Sequence, residues 1–280
     1  MNYILDFRGA DIGGSVVPGR IMRIDGIPLG IEDDLRRESK ITFLLHGFNV
    51  NRPDGRKSLL QLAGRLPSAS DGAMVAVLWP GDHWVRATSY PLEGNDADDS
   101  AAELARFIDR VVKPGTELNF VSHSLGARVV MGAVNRLLGD SYPIRQICLM
   151  AAAIDDFSLA NPDDYRLGVA TAERVAVLAS HEDLVLKLAY PVGDFLQAFF
   201  FFWKDDVGLA LGYQGPRPSN DDSITEQVYH WQIPDERNSG HGDYVPSDPP
   251  SSNQRSAANF ADEVLYGLDK PRYEENSAMA

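Results

Sequence analysis

The sequence predicts an α/β protein with a mostly parallel central sheet and helices on both faces. Two observations carry this expectation. Short apolar runs recur as continuous blocks instead of alternating with polar residues, the pattern of strands buried on both sides. Between them lie segments with apolar residues at helical spacing, so strand and helix alternate along the chain. Composition bounds the class: 44% hydrophobic and 24% charged residues exclude collagen-like, disordered and coiled-coil readings. With 280 residues and no internal repeat or linker, a single domain over residues 1–269 is the economical count.

Taken in order, residues 41–45 (Ile-Thr-Phe-Leu-Leu) form the first run and end in His46-Gly47. Residues 73–79 form the second, stopped by Pro80-Gly81, and the end Trp79-Pro80-Gly81-Asp82 is expected to line a cleft. A helix is read from the capping-box pattern Ser100-Ala101-Ala102-Glu103, with Leu104, Phe107, Ile108 and Val111 on one face. Lys113-Pro114-Gly115 ends it. Residues 118–121 read as strand, and from Leu125 the positions Val129, Ala133, Leu137 and Leu138 recur at helical spacing up to Gly139. Residues 144–150 and 174–179 are further strands, and 227–232 is strand-like. The last helix is read over 257–268, from Phe260, Val264, Leu265 and Leu268, and residues 270–280 form a polar tail. Residues 184–226 read as a lid- or cap-like insertion. Its aromatic cluster 195–203 suits a lid or an interface, so a homodimer stays open, although aromatic runs more often form a buried core helix.

Charge removes whole classes of function. Lys and Arg total 26 against 40 Asp and Glu, and a net charge of −14 repels phosphate backbones, so no nucleic-acid partner is expected. The single cysteine, Cys148, excludes an intrachain disulfide and a cysteine-rich zinc module. No His-Glu-x-x-His pattern occurs and Gly13-Gly14 is not part of a dinucleotide fingerprint, so neither metal nor cofactor is expected. The first residues lack a basic leader followed by an apolar stretch, and 184–203 is interrupted by Lys187, Pro191, Gly193 and Asp194. A cytoplasmic location with no integral membrane segment is the expectation.

The most informative stretch is 118–130, where a strand runs directly into a helix through Ser122-His123-Ser124-Leu125-Gly126. Nucleophilic catalysis needs that shape. A sharp strand-to-helix turn lifts the serine hydroxyl clear of the sheet, and the N–H groups that follow face developing negative charge. Small residues two before and two after the serine let the turn close. Ser122 stands where the usual pattern has glycine, and Ala127 keeps the far side small. The competing reading is an ordinary strand–helix turn with a serine N-cap.

Upstream, Phe43-Leu44-Leu45-His46-Gly47-Phe48-Asn49 closes a buried strand. With the serine turn, these residues resemble the α/β-hydrolase superfamily over roughly residues 41–268, most closely a poorly characterised bacterial branch. The resemblance implies the α/β-hydrolase fold and an oxyanion hole built from the N–H groups of Phe48 and Leu125. Such donors are typically worth about 3–4 kcal/mol each in barrier lowering. His46 is expected to bond nearby loop backbone and take no catalytic part.

Six histidines could supply the base. His123 adjoins the serine, with its side chain expected to point away from the hydroxyl. His230 lies in a strand-like run, His181 follows a strand end, and His46 and His83 precede the motif. His241 sits in the glycine-flanked loop Ser239-Gly240-His241-Gly242, where the resemblance places the base. For the acid, Asp183 (or Glu182) stands past a strand end between serine and histidine. Asp155 and Asp156, past the preceding strand, are rivals. The order serine, acid, histidine fits the superfamily with Asp183 first and Asp155 in reserve. Any of these carboxylates also suits a helix N-cap.

The expected activity is cleavage of a small-molecule carboxylic ester by Ser124, His241 and Asp183 through an acyl-enzyme, an apolar acyl chain being one version of the substrate. Two other readings stay in view: a lipase or phospholipase acting at lipid surfaces, and a noncatalytic binding protein on the same fold.

Overall fold

The computed structural model describes residues 2–11, 14–24, 31–81, 93–189, 208–219 and 222–274. Eight strands form one sheet. They are β1 (Asn2–Arg8), β2 (Val16–Arg23), β3 (Lys40–Leu45), β4 (Ala73–Leu78), β5 (Glu117–His123), β6 (Ile144–Met150), β7 (Ala172–Ser180) and β8 (Val228–Ile233). Their order is β2-β1-β4-β3-β5-β6-β7-β8. Only β1 and β2 pair antiparallel; every other neighbour is parallel. The α/β-hydrolase fold expected from the sequence is therefore present.

The continuous runs behave as their composition demands. All six residues of β4 are buried, as are five of six in β3 and five of seven in β5. Phe43 and Phe120 stack across the β3–β5 pair with centroids 5.5 Å apart, a contact worth roughly 0.5–1.5 kcal/mol beyond burial. On the flanks lie α1 (Ile31–Arg37), α2 (Arg52–Ala63), α3 (Glu93–Val111), α4 (Gly126–Arg136), α5 (Arg166–Thr171), α6 (Leu184–Ala189), α7 (Leu211–Gln214) and α8 (Ser252–Tyr266). α3 and α4 approach closely, since a Cβ on Gly132 would meet the Ala101 Cβ at 2.9 Å.

Several elements differ from expectation. α3 begins at or before Glu93, so Ser100 is no cap: it is fully buried inside the helix. α8 begins five residues earlier than read. Ser251 Oγ accepts from Gln254 N–H, the reciprocal glutamine contact completes a capping box, and Gly267 ends the helix at φ +86°. The hairpin β1–β2 carries no clear strand signal because Asp6 and Arg8 interrupt its apolar run. Both find partners far along the chain: Asp6 pairs with Arg52 at 2.9 Å, and Arg8 donates to the carbonyls of Val50 and Trp79. The first residues after 269 are anchored, with Tyr273 buried and its hydroxyl donating to the Asn253 carbonyl. Much of the proposed insertion, including the aromatic cluster 195–203, lies outside the described residues, as do His83, Asp82 and the last six residues. Among the described residues no helix is long and apolar enough to cross a membrane.

The topology also says where a ligand should go. The chain runs from β3 outward to β4 and then returns to the other side of β3 to form β5. Open α/β sheets bind ligands at the carboxyl ends of the strands flanking such a reversal. Here those ends carry His46-Gly47 and Ser124, brought side by side because Leu45 pairs with Ser122.

Candidate active site

Ser124 occupies the turn between β5 and α4 with φ +54°, a left-handed conformation that costs a non-glycine residue roughly 1–2 kcal/mol. Surrounding bonds hold it there. Its N–H donates to the Met150 carbonyl at 3.0 Å, and its own carbonyl accepts from Ala127 and Ala153 N–H, each at 3.1 Å. Closure depends on two glycines. A Cβ on Gly126 would sit 2.6 Å from the His46 carbonyl oxygen, and one on Gly47 would sit 2.7 Å from the Ser124 Cβ. The loop after β3 is thus packed directly on the serine turn. Phe48 is the next residue after the Gly47 contact, and Leu125 is the N-cap of α4, one residue past Ser124.

The other two predicted groups arrive from the far half of the sheet. Asp183 lies three residues past β7 and is fully buried. It caps α6, accepting from Leu186 N–H at 3.0 Å through Oδ1, while Oδ2 lies 2.8 Å from His241 Nδ1. Capping and contact with the histidine are therefore made by one carboxylate through different oxygens. His241 begins a single 3₁₀ turn, His241–Tyr244, and its Nε2 lies 3.0 Å from Ser124 Oγ. A carboxylate only accepts, so Nδ1 holds the ring proton and Nε2 can accept from the serine hydroxyl.

The turn bearing His241 is fixed from three sides. Ser180 Oγ, at the end of β7, donates to the Ser239 carbonyl at 2.8 Å. Gln254 on α8 donates through Nε2 to the Gly242 carbonyl and accepts at Oε1 from Ser247 and Ser251 N–H. Asp243 accepts from Gly240 N–H at 2.9 Å. Tyr244 is buried behind, and burial together with the nearby Asp183 carboxylate raises its phenol well above the ordinary range.

The remaining candidates sit elsewhere. Asp155 is buried past β6 and its backbone bridges to Ala210, while Asp183 takes the contact with His241. Asp156 accepts from Arg217 Nε at 2.6 Å. His181 pairs with Asp235, and His230 contacts Gln232 within β8. Trp79, expected at a cleft, is instead buried: it stacks on His46 with centroids 5.6 Å apart, and its indole N–H donates to the His46 carbonyl. Among the described residues no group of three or more His, Cys, Asp or Glu side chains is arranged to hold a metal.

His46 is wholly internal. Its Nδ1 lies 2.8 Å from the Gly47 carbonyl, and its Nε2 accepts from Trp79 N–H at 3.3 Å. Burial, with a smaller push from the Arg8 cation, lowers its pKa to about 4 against the opposing pull of the Gly47 carbonyl. The unfolded chain therefore binds an extra proton between about pH 6.5 and 4. Stability present above pH 6.5 is lost as pH falls through that window, by roughly 3 kcal/mol from this ring, and levels off below it. Denaturant titrations from pH 7 to 4.5 should record the decline. An NMR resonance of the folded His46 ring that titrates near pH 6.5 would refute it.

One histidine that the sequence set aside is close to the site. His123 Nε2 lies 2.9 Å from the His241 carbonyl oxygen, and the two rings are 4.8 Å apart.

A family model described as alpha/beta hydrolase of unknown function (DUF900) matches residues 30–194. Among solved structures the chain is similar to an esterase, PE8, with 16% identity over 81% of this chain and 93% of that one, at a TM-score of 0.40. It is also similar to a putative hydrolase from Agrobacterium vitis S4 (11% identity, 73% and 81% covered, TM-score 0.35). An extracellular α/β-hydrolase from a Paenibacillus species gives 13% identity, 69% and 77% covered, and a TM-score of 0.29. No curated protein sequence matches the chain. Likeness at this level leaves the activity to be argued from the site.

Proposed function

We propose, because the chain belongs to the family of alpha/beta hydrolases of unknown function (DUF900), that it is a serine hydrolase cleaving carboxylic esters through an acyl-enzyme. One observation carries the reading: the unbroken line from Asp183 Oδ2 through His241 to Ser124 Oγ, with contacts of 2.8 and 3.0 Å. His241 Nε2 takes the hydroxyl proton as Oγ attacks the ester carbonyl. Asp183 holds the ring in the receptive tautomer and stabilises the imidazolium that forms. The alkoxide leaves with the proton returned by His241, and water activated by the same ring then attacks the acyl-serine and releases the acid.

The N–H groups of Phe48 and Leu125 are the oxyanion donors in this reading. Two features support it: Gly47 packs the loop before Phe48 onto Ser124, and Leu125 opens α4, where the helix dipole favours negative charge. Gly47→Ala should therefore disturb the site more than the fold. The added methyl is forced against Ser124 and His123, so ester turnover should fall at least ~10-fold, while overpacking costs roughly 1–3 kcal/mol. Kinetics beside a thermal melt check this; a variant with unchanged turnover would place the oxyanion donors elsewhere.

The experiment for the reading as a whole is a fluorophosphonate probe on the wild-type chain, followed by p-nitrophenyl esters of rising acyl length beside thioesters and amides. Labelling at Ser124 with ester turnover is expected. A chain that is neither labelled nor active would instead be a binding protein on this fold. Leu184 and Val185, one and two residues past Asp183, are 56% and 47% exposed, and Leu209 is 40% exposed. In this reading the apolar acyl group finds support in Leu184 and Val185, which follow Asp183 directly in the chain. A sharp rise in rate when the substrate forms a lipid interface would move the assignment to the lipase or phospholipase reading.

A further inference from the structure

The reaction above needs a base held within a few tenths of an ångström of Ser124 Oγ, yet that base sits on a single 3₁₀ turn between loops. The neighbours of His241 include one side chain with no part in the proton transfer. His123 precedes the nucleophile, and its ring is packed between two loops. On one side a Cβ at Gly47 would lie 3.1 Å from His123 Nδ1, so the loop after β3 rests against the ring. On the other side the ring is tilted 44° to His241 at 4.8 Å and lies 6.0 Å from Tyr244. Its Nε2 is 2.9 Å from the His241 carbonyl oxygen. A carbonyl only accepts, so Nε2 carries the proton and Nδ1 is bare.

Resting on the serine-hydrolase reading, we propose that His123 is a positioning residue for the base: its Nε2–H ties the main chain of His241 to the strand that carries the nucleophile. The tether works because strand β5 is paired along both edges. β5 lies between β3 and β6, and Ser124, the next residue, is bonded through both its N–H and its carbonyl. One short side chain thereby fixes the base relative to the hydroxyl it must deprotonate, across 118 residues of sequence.

The charge state of His123 fits this use. Three groups bear on the ring from the surrounding elements: His241 on its turn, His46 at the end of β3, and the Tyr244 phenol. Burial first, then the charge of His241 and of His46, lower its pKa to about 3, while the bond to the His241 carbonyl pulls the other way. A neutral ring donates without opposing the imidazolium that His241 becomes in the reaction. A cationic neighbour at 4.8 Å would disfavour that imidazolium.

The test compares His123→Phe, which keeps a ring and removes the donor, with His123→Gln, whose amide can place an N–H near the same carbonyl. With p-nitrophenyl acetate, His123→Phe should lower kcat about 10- to 100-fold and change KM less than about twofold, with the same slowing of fluorophosphonate labelling. His123→Gln should recover most of the loss. Turnover by the phenylalanine variant within twofold of wild type, or a glutamine variant no better than it, overturns the proposal. Should the phenylalanine variant fail to fold, ¹⁵N NMR of the wild-type imidazoles decides: a proton on His123 Nε2 supports the tether, and one on Nδ1 overturns it. A wild-type chain that resists the probe while showing the Nε2–H tautomer would remove ester hydrolysis and leave the tether standing.

Discussion

The Ser124→Ala chain is expected to fold like the wild type and to hydrolyse p-nitrophenyl acetate at least ~10⁴-fold more slowly, since losing the nucleophile removes covalent catalysis outright. The geometry explains why these effects separate. Ser124 Oγ contributes its contact to His241 Nε2, whereas the turn itself is held by main-chain bonds to Met150, Ala127 and Ala153 that alanine retains. The strain at φ +54° is common to serine and alanine, so the melting temperature should move by only a few degrees. Ser124→Gly makes a useful companion, because glycine adopts this backbone freely: it should be equally inactive and more stable than the alanine variant by roughly 1 kcal/mol. Turnover within tenfold of wild type by either variant would end the nucleophile assignment.

How much of this could be read in the sequence depends on how local the cause is. The strand–serine–helix turn was legible because a few adjacent residues encode it: Ser122, Gly126 and Ala127 are small, and the apolar periodicity changes at Ser124. The central strands were legible because each is a continuous apolar run with both faces covered. The hairpin β1–β2 was not, since Asp6 and Arg8 break the pattern and their compensation comes from Arg52, Val50 and Trp79. The pattern Ser100-Ala101-Ala102-Glu103 misled for the opposite reason: it has the local form of a cap, while tertiary packing carries α3 through it. For α8 a genuine capping box at Ser251 and Gln254 was available but lay outside the apolar periodicity that begins near Phe260. The meeting of Asp183, His241 and Ser124 is set by strand order, which spacing alone does not reveal; superfamily resemblance pointed to it. His123 was set aside because its partner is the carbonyl of a residue 118 positions away, and no local signal announces such a bond.

Asp183→Asn is expected to lower kcat about 10³- to 10⁴-fold, the scale associated with forcing the wrong histidine tautomer, while α6 stays in place. The two carboxylate oxygens make the experiment informative. Oδ1 accepts from Leu186 N–H as a helix cap, and an asparagine carbonyl can do the same. Oδ2 accepts from His241 Nδ1, and there the substituted amide presents a donor instead. An N–H facing Nδ1 drives the ring proton to Nε2, where it meets the Ser124 hydroxyl as a donor and can no longer remove its proton. Capping would survive and base function would not, which a circular-dichroism melt beside the kinetics can display. Asp183→Ala, by contrast, should lose both, adding about 1 kcal/mol of destabilisation from the cap alone. Asp155→Asn serves as the control for the reserve acid. With Asp183 already on the histidine, its turnover should stay within about threefold of wild type. The reverse result, a silent Asp183→Asn and a crippled Asp155→Asn, would transfer the role of acid to the loop after β6 and require His241 to turn away from its present partner during the reaction.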